Sequence, residues 1–123
     1  QTLEAVRNRG QLVCGIHTGI AGFALPDSRG TWQGMDVDLC RGLAVAIFND
    51  PNKVRFVPLS SSTRFTALGS GEIDVLFRTS TQTMLRDVTL GLRHAVTYFY
   101  DGHGFMLRAN AGIAKAADMG GAT

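Results

Sequence analysis

An α/β fold, with a mainly parallel sheet flanked by helices on both faces, is what this chain of 123 residues predicts. Three observations carry the expectation. From the N-terminus to Phe77, helical and strand-like segments alternate as helix, strand, helix, strand, helix, strand, the order that gives parallel strands joined by crossover helices. Residues 73–77 are an apolar run that reads as a buried strand, and its C-terminal end opens into a stretch rich in hydroxyls and arginine, where open α/β sheets bind their ligands. The composition, 45% hydrophobic and 18% charged, is that of a folded domain and excludes a disordered chain. A chain of this length buries roughly two thirds of its unfolded surface.

Taken in order, Thr2 caps a short helix over residues 3–9, and Gly10 stops it, because a glycine just past the last turn takes a left-handed conformation cheaply. Residues 11–17, QLVCGIH, form the first strand, and His17 falls where that strand meets the next loop. A lone histidine there is more often structural, but the end of a strand is also where a ligand contact belongs. The loop over residues 18–34 combines Gly19, Gly22, Gly30 and Gly34 with Ile20, Phe23 and Trp32, and its PDSRG at 26–30 is a turn by its own chemistry, as at a hairpin tip. Neither G-x-x-x-x-G-K-[ST] nor G-x-G-x-x-G occurs in it, so it is weak evidence for phosphate.

Residues 35–48 carry Val37, Cys40, Leu43, Ala44 and Ile47 at helical spacing, with Asp36 placed favourably against the helix dipole. Residues 54–59 alternate like a strand whose pairing fades at Pro58. A short helix around Phe65 and Leu68, stopped by Gly69 and Gly71, leads to the strand at 73–77. Residues 84–91 form one or two helical turns. Residues 96–100 and 104–108 read as two short strands flanking an Asp-Gly-His-Gly turn. The tail, rich in alanine and glycine, carries one helix around 113–118.

Residues 61–87 hold the candidate site. Ser61, Ser62, Thr63 and Arg64 precede the strand; Thr79, Ser80, Thr81, Thr83 and Arg86 follow it. Two guanidinium groups among so many hydroxyls suit a small anion, most simply a carboxylate, because arginine offers a planar fork of donors. An arginine in the first turn of a helix opposes the dipole, and a local anion makes sense of it. Asp101 and His103 fall short of a closed metal site, and no metal or cofactor is expected. The net charge is +2 with scattered basic residues, which argues against nucleic acid. No apolar run approaches the roughly 20 residues that span a bilayer. Cys14 and Cys40 are compatible with a disulfide or with two buried thiols. His17, Glu72 and Asp74 are the candidates for general acid, the last two reading as solvent-facing turn residues. No nucleophile, base and orienter set is readable, so the chain is not expected to be an enzyme.

The segments TLEAVRNRGQLVCGI, TGIAGFALPD, WQGMDVDLCRGLAVAIFNDPNKVRFVPL, RFTALGSGEIDVL and TYFYDGHGFML follow one another through most of the chain. Together they resemble the N-terminal lobe of periplasmic solute-binding proteins for polar amino acids, in particular the general L-amino-acid and glutamate/glutamine/aspartate receptors of ABC importers. The resemblance implies a periplasmic-binding-protein type II lobe one over residues 1–108. Residues 109–123 are then a tail leading to an interlobe crossover, with the second lobe and the returning C-terminal segment lacking. It also implies a periplasmic location, an L-amino acid as ligand (glutamate, glutamine, aspartate or general polar), and the membrane subunits of an ABC importer as partners of the full-length parent.

By the same resemblance, Arg86 and Thr81 hold the ligand's α-carboxylate, and Thr79 receives its α-amino group through a carbonyl or hydroxyl. Ser61 and Arg64 reach the ligand's backbone or side chain, His17 helps select the substrate, and Ile20 or Phe23 walls the pocket. Two positions depart from the family pattern. Gln82 stands where a tryptophan is usual, and His17 where asparagine is usual, both beside the pocket and both bearing on ligand choice. A lone lobe leaves the ligand half in water, where an arginine–carboxylate pair is worth about 1 kcal/mol or less. Millimolar binding or none is therefore expected of the lobe by itself. The alternative is a truncated domain that is chiefly a structural homo-oligomer or swapped dimer without ligand binding, since uncovered sheet edges invite strand pairing.

Overall fold

A computed structural model of the protein describes residues 2–121. In chain order its elements are α1 (Thr2–Arg9), β1 (Leu12–His17), β2 (Leu25–Pro26), β3 (Trp32–Gln33), α2 (Met35–Phe48), β4 (Val54–Leu59), α3 (Arg64–Gly69), β5 (Val75–Leu76), α4 (Met84–Thr89) and a 3-10 turn at Ala116–Asp118. The expected parallel sheet is present, in the order β4-β1-β5. β1 pairs along its whole length with β4, from Leu12 opposite Val54 to His17 opposite Leu59, and with β5 at Cys14 and Gly15.

β1 is central because both its faces are apolar. Leu12, Cys14 and Ile16 point to the side covered by α1 and α2, where Val6, Val37, Cys40 and Ala44 are buried with them. Val13 points the other way, onto Leu59, Ala67 of α3 and Ile73. Gly15 shares that second face, and a Cβ there would fall 2.6 Å from the Ile73 side chain and 2.9 Å from that of Leu59. Cys14 and Cys40, which the sequence left open, are joined in a disulfide that ties β1 to α2, with their Cα atoms 6.2 Å apart.

The N-terminus of α2 is seated on the loop after β1. Gly34, at φ +124°, lies so close to Phe23 that a Cβ would meet its carbonyl oxygen at 2.3 Å. The Met35 and Asp36 amides donate to the carbonyls of Gly22 and Phe23. Asp36, expected at the helix start for its dipole, is thereby carried wholly out of solvent. The turn at 26–30 is the tip of the β2–β3 hairpin, with the Asp27 carboxylate accepting from the Arg29 and Thr31 amides, 2.9 Å each.

Four expectations are corrected. Asp74 does not face solvent: its carboxylate accepts from the Val13 amide at 2.7 Å and pairs with Arg9, so it extends the β1–β5 connection. The strand expected over residues 73–77 pairs only at Val75–Leu76. Residues 96–100 and 104–108 form no ladder; Val96, Tyr100, Phe105 and Met106 are exposed, and an isolated two-stranded ribbon with no buried face is marginal in water. The helix expected around 113–118 shrinks to the 3-10 turn, because a short alanine-rich segment with little to bury cannot offset nucleation.

Closing a loop between residues 26 apart makes the disulfide worth about 3 kcal/mol by chain entropy. Urea unfolding with and without reductant is expected to show a loss of that order, and an unchanged midpoint would mean the bridge contributes nothing. Gly34→Ala combines a positive φ with a clash against backbone, so it is expected to destabilise the fold by more than about 1 kcal/mol. Thermal melts of the two proteins compare them directly.

Candidate functional site

Parallel strands end on the same side, so the C-terminal ends of β1, β4 and β5 deliver His17, the Ser60 to Arg64 turn and the loop from Arg78 to Thr83 to one edge of the sheet. The β4–α3 turn is held by its own hydroxyls. Ser60 Oγ lies 2.9 Å from Ser62 Oγ and from Thr63 Oγ1, and the Ser60 amide donates to Thr63 Oγ1 at 3.1 Å. α3 therefore starts at a defined angle, and Arg64, its first residue, is buried. Thr83 caps α4 by accepting from the Arg86 amide, which turns Arg86 back toward the loop.

Arginines dominate this edge. Arg64 Nη1 donates to the Thr79 carbonyl at 2.9 Å, and Arg86 Nη1 donates to the Thr81 carbonyl at 2.6 Å. Both guanidinium groups lie over the Phe65 ring, 4.7 Å and 5.2 Å from its centre, where the π face attracts cations. A third arginine, Arg78, is buried at the end of the loop's entry, with Nε donating to the Leu59 carbonyl at 3.0 Å and Nη2 to Ser61 Oγ at 3.2 Å. Among the described residues none of the three has a carboxylate within ion-pair distance, and Arg64 Nε is buried without a partner. Burial, then repulsion by Arg78 and Arg86, lowers the pKa of Arg64 from its usual value.

His17 closes the same edge. Its Nδ1 accepts from the Gly19 amide at 2.9 Å. Burial, followed by the charges of Arg78 and Arg64, holds its imidazole below the usual histidine value, so the ring is neutral at pH 7 with its proton on Nε2. The expected residues Arg86, Thr81, Thr79, Arg64, Ser61 and His17 are thus brought together. Ser61 and the two threonine carbonyls are engaged by arginine, which leaves the hydroxyls of Thr79 and Thr81 without protein partners among the described residues. Ile20 and Phe23 are not tied to the arginines. Ile20 bridges to Ala24, and Phe23 packs edge-on against Phe99 with ring centres 5.1 Å apart.

Sequence reasoning missed Arg78, Asp36 and Tyr98. The Tyr98 hydroxyl donates to Asp36 Oδ1 at 2.9 Å, and Asp36 Oδ2 is buried without a partner among the described residues. Burial raises the Asp36 pKa above its ordinary value, opposed by the Tyr98 hydrogen bond and the charge of Arg78. The signal for Arg78 was present: an arginine ending the apolar run IDVLF has no reason to be there unless its charge is used. Two shallow clefts, one around Leu25, Asp27 and Gln33 and one around Phe105, Ile113 and Met119, include none of these residues.

The model of the family described as bacterial extracellular solute-binding proteins, family 3, matches residues 12–119. The glutamate/glutamine/aspartate/asparagine-binding protein BztA of Rhodobacter capsulatus is 50% identical over 122 residues, which is 99% of this chain and 36% of that protein. A solved ABC transporter/periplasmic binding protein from Brucella ovis with glutathione bound shares 51% identity and superposes with a TM-score of 0.91, over 97% of this chain and 38% of that one. A mutant of the arginine-bound form of domain 1 from TmArgBP shares 25% identity with a TM-score of 0.62, over 69% of this chain and 64% of that one. The chain spans little more than a third of the length of the first two.

The raised pKa of Asp36 has a definite sign. Between its ordinary value of 3.8 and the raised one, the folded state binds more protons than the unfolded, so this group lowers stability as pH rises through that window. Unfolding measured from about pH 4 to about pH 7 is expected to show wild type losing stability relative to Asp36→Asn. A difference that does not change with pH would mean that Asp36 ionises normally.

Proposed function

We propose that this chain, which belongs to the bacterial extracellular solute-binding proteins of family 3, is the amino-acid-binding lobe of a periplasmic receptor serving an ABC importer. In this reading Arg86 holds the ligand's α-carboxylate. The observation that carries it is the pair of guanidinium groups of Arg64 and Arg86 over one phenyl ring, with no protein carboxylate in ion-pair range among the described residues. Gathering like charges is unfavourable unless an anion completes the set, and a carboxylate taken from water needs a paired charge and several donors.

Each residue then has a role. Arg86 offers its remaining donors to the α-carboxylate, and Thr81, whose carbonyl already accepts from Arg86, adds its hydroxyl. Thr79 offers a hydroxyl to the ammonium group. Arg64, Ser61 and His17 face the ligand's other end, and Ile20 and Phe23 line the approach. The names of the relatives support a shared head group: glutamate, glutamine, aspartate and asparagine carry an α-ammonium and an α-carboxylate, and so does the glutamyl end of glutathione. Those relatives are named for binding, and the reading is of binding rather than catalysis. Residues 1–108 form the lobe, residues 109–123 lead to a crossover, and a second lobe would face the arginines, in keeping with relatives nearly three times as long. The arginine-bound domain 1 supports a lobe of this fold holding a ligand by itself.

One observation favours a second reading, a homo-oligomer or swapped dimer with no ligand. Met84, Leu85, Val88, Phe105 and Met106 leave an apolar surface uncovered. Light scattering separates the two, since a monomer at high concentration removes the oligomer.

Titration of an isotopically labelled sample of known mass with L-glutamate and other L-amino acids, followed by amide NMR, tests the main reading. Shifts at residues 79–86 with a dissociation constant on the order of millimolar are expected, and Arg86→Ala is expected to abolish them. Undiminished binding by Arg86→Ala would overturn the assignment.

A further inference from the structure

We infer that His94 is a positioning residue for ligand binding: by engaging the Asp87 carboxylate it keeps that charge from Arg86, which stays available to an anion. The inference rests on the amino-acid reading above, in which Arg86 meets the ligand's carboxylate, and adds a residue that the ligand does not touch.

Asp87 follows Arg86 directly, and both lie within the first four residues of α4. Helical side chains lean toward the N-terminus of their helix, so both lean toward the loop over residues 79–83. Arg86 reaches the Thr81 carbonyl of that loop at 2.6 Å, and the Asp87 carboxylate is influenced by the side chain of Gln82. An arginine is long enough to bridge such a separation. Even so, among the described residues no ion pair joins Asp87 to an arginine. Its partner is His94, seven residues on, with Nδ1 lying 2.5 Å from Oδ1.

The turn after α4 makes this contact. The Leu90 amide donates to the Arg86 carbonyl at 3.3 Å, and Gly91, at φ +61°, reverses the chain so that His94 comes back against the helix. The His94 hydrogen bond, ahead of a smaller contribution from Gln82, holds the Asp87 carboxyl below its ordinary value, so Asp87 is ionised at neutral pH. An ionised carboxylate only accepts, and Nδ1 of His94 therefore carries the proton, the reverse of His17, whose Nδ1 accepts from Gly19. Released from His94, the Asp87 carboxylate would either pair with the Arg86 guanidinium or stand as a negative charge beside the place where the ligand's carboxylate binds. Both weaken binding. An exposed pair of this kind is worth a few-fold in affinity and is screened by salt, whereas a purely structural tie between residues 87 and 94 is indifferent to whether residue 87 is charged.

L-glutamine titrated into the intact chain by amide NMR, for wild type, His94→Ala, Asp87→Asn and the double variant, separates the two. His94→Ala is expected to weaken binding about threefold or more at low salt, while Asp87→Asn stays within about twofold of wild type. The double variant is expected to return to the wild-type affinity, because the charge that His94 restrains is gone. In roughly 0.5 M NaCl the deficit of His94→Ala relative to wild type is expected to shrink. Should His94→Ala not fold, His94→Phe keeps a ring of similar size without the donor and carries the same comparison. Unchanged affinity in the His94 variant, or a deficit that neither Asp87→Asn nor salt relieves, overturns the inference and leaves the amino-acid reading standing. Absence of binding by wild type overturns that reading and the inference with it.

Discussion

Parallel pairing of Leu12–His17, along its whole length with β4 and at Cys14 and Gly15 with β5, is the constraint from which the rest of the structure follows. A strand with neighbours on both sides and helices on both faces has no room for polar side chains, and it is filled by Leu, Val, Cys, Gly and Ile until His17. Because all three strands run the same way, their ends fall on one side. Residues far apart in sequence, His17, Ser61 and Arg78, meet there without any long-range contact between their own side chains being needed to bring them together. The disulfide and the absent Cβ of Gly15 serve this strand as well. One fastens it to α2, and the other lets Ile73 and Leu59 close over its second face.

The arginine edge shows how a protein holds like charges before any counter-ion arrives. Each guanidinium is given a backbone carbonyl: Leu59 for Arg78, Thr79 for Arg64, Thr81 for Arg86. Carbonyl dipoles and the Phe65 ring provide partial negative charge without ionised groups, so the site keeps its net positive potential. A carboxylate in their place would neutralise the edge outright. The same bonds order the loop over residues 79–83, so the groups that would meet an anion also shape the backbone around it.

Much of the fold was legible because its causes are local. The α2 spacing, the PDSRG turn, and the alternation of helix and strand up to Phe77 each depend on neighbours in sequence. The arginine-and-hydroxyl stretch was legible for the same reason. What was not legible depends on contacts between distant parts. Asp36 looked like a dipole residue because nothing nearby announces that Gly34 lets α2 settle on Phe23 and carry the carboxylate inside. Asp74 looked solvent-facing because its partner, the Val13 amide, is on another strand. Residues 96–100 have strand-forming side chains, but a strand exists only where a partner edge is free to receive it, and pairing of this kind is invisible to local propensity. Arg78 was passed over because it closes a strand instead of opening a helix, although its charge at the end of IDVLF is as unusual as that of Arg86.

Asp36 links two regions that the sequence treats as separate. It lies within electrostatic reach of Arg78, and its hydrogen bond comes from Tyr98, in a segment attached to the lobe chiefly by Tyr98 and Phe99. A buried carboxylate needs compensation from one side or the other. Tyr98 supplies it with a hydrogen bond at Oδ1 and Arg78 with its charge, so a peripheral segment and the arginine edge together stabilise one carboxylate that water does not reach.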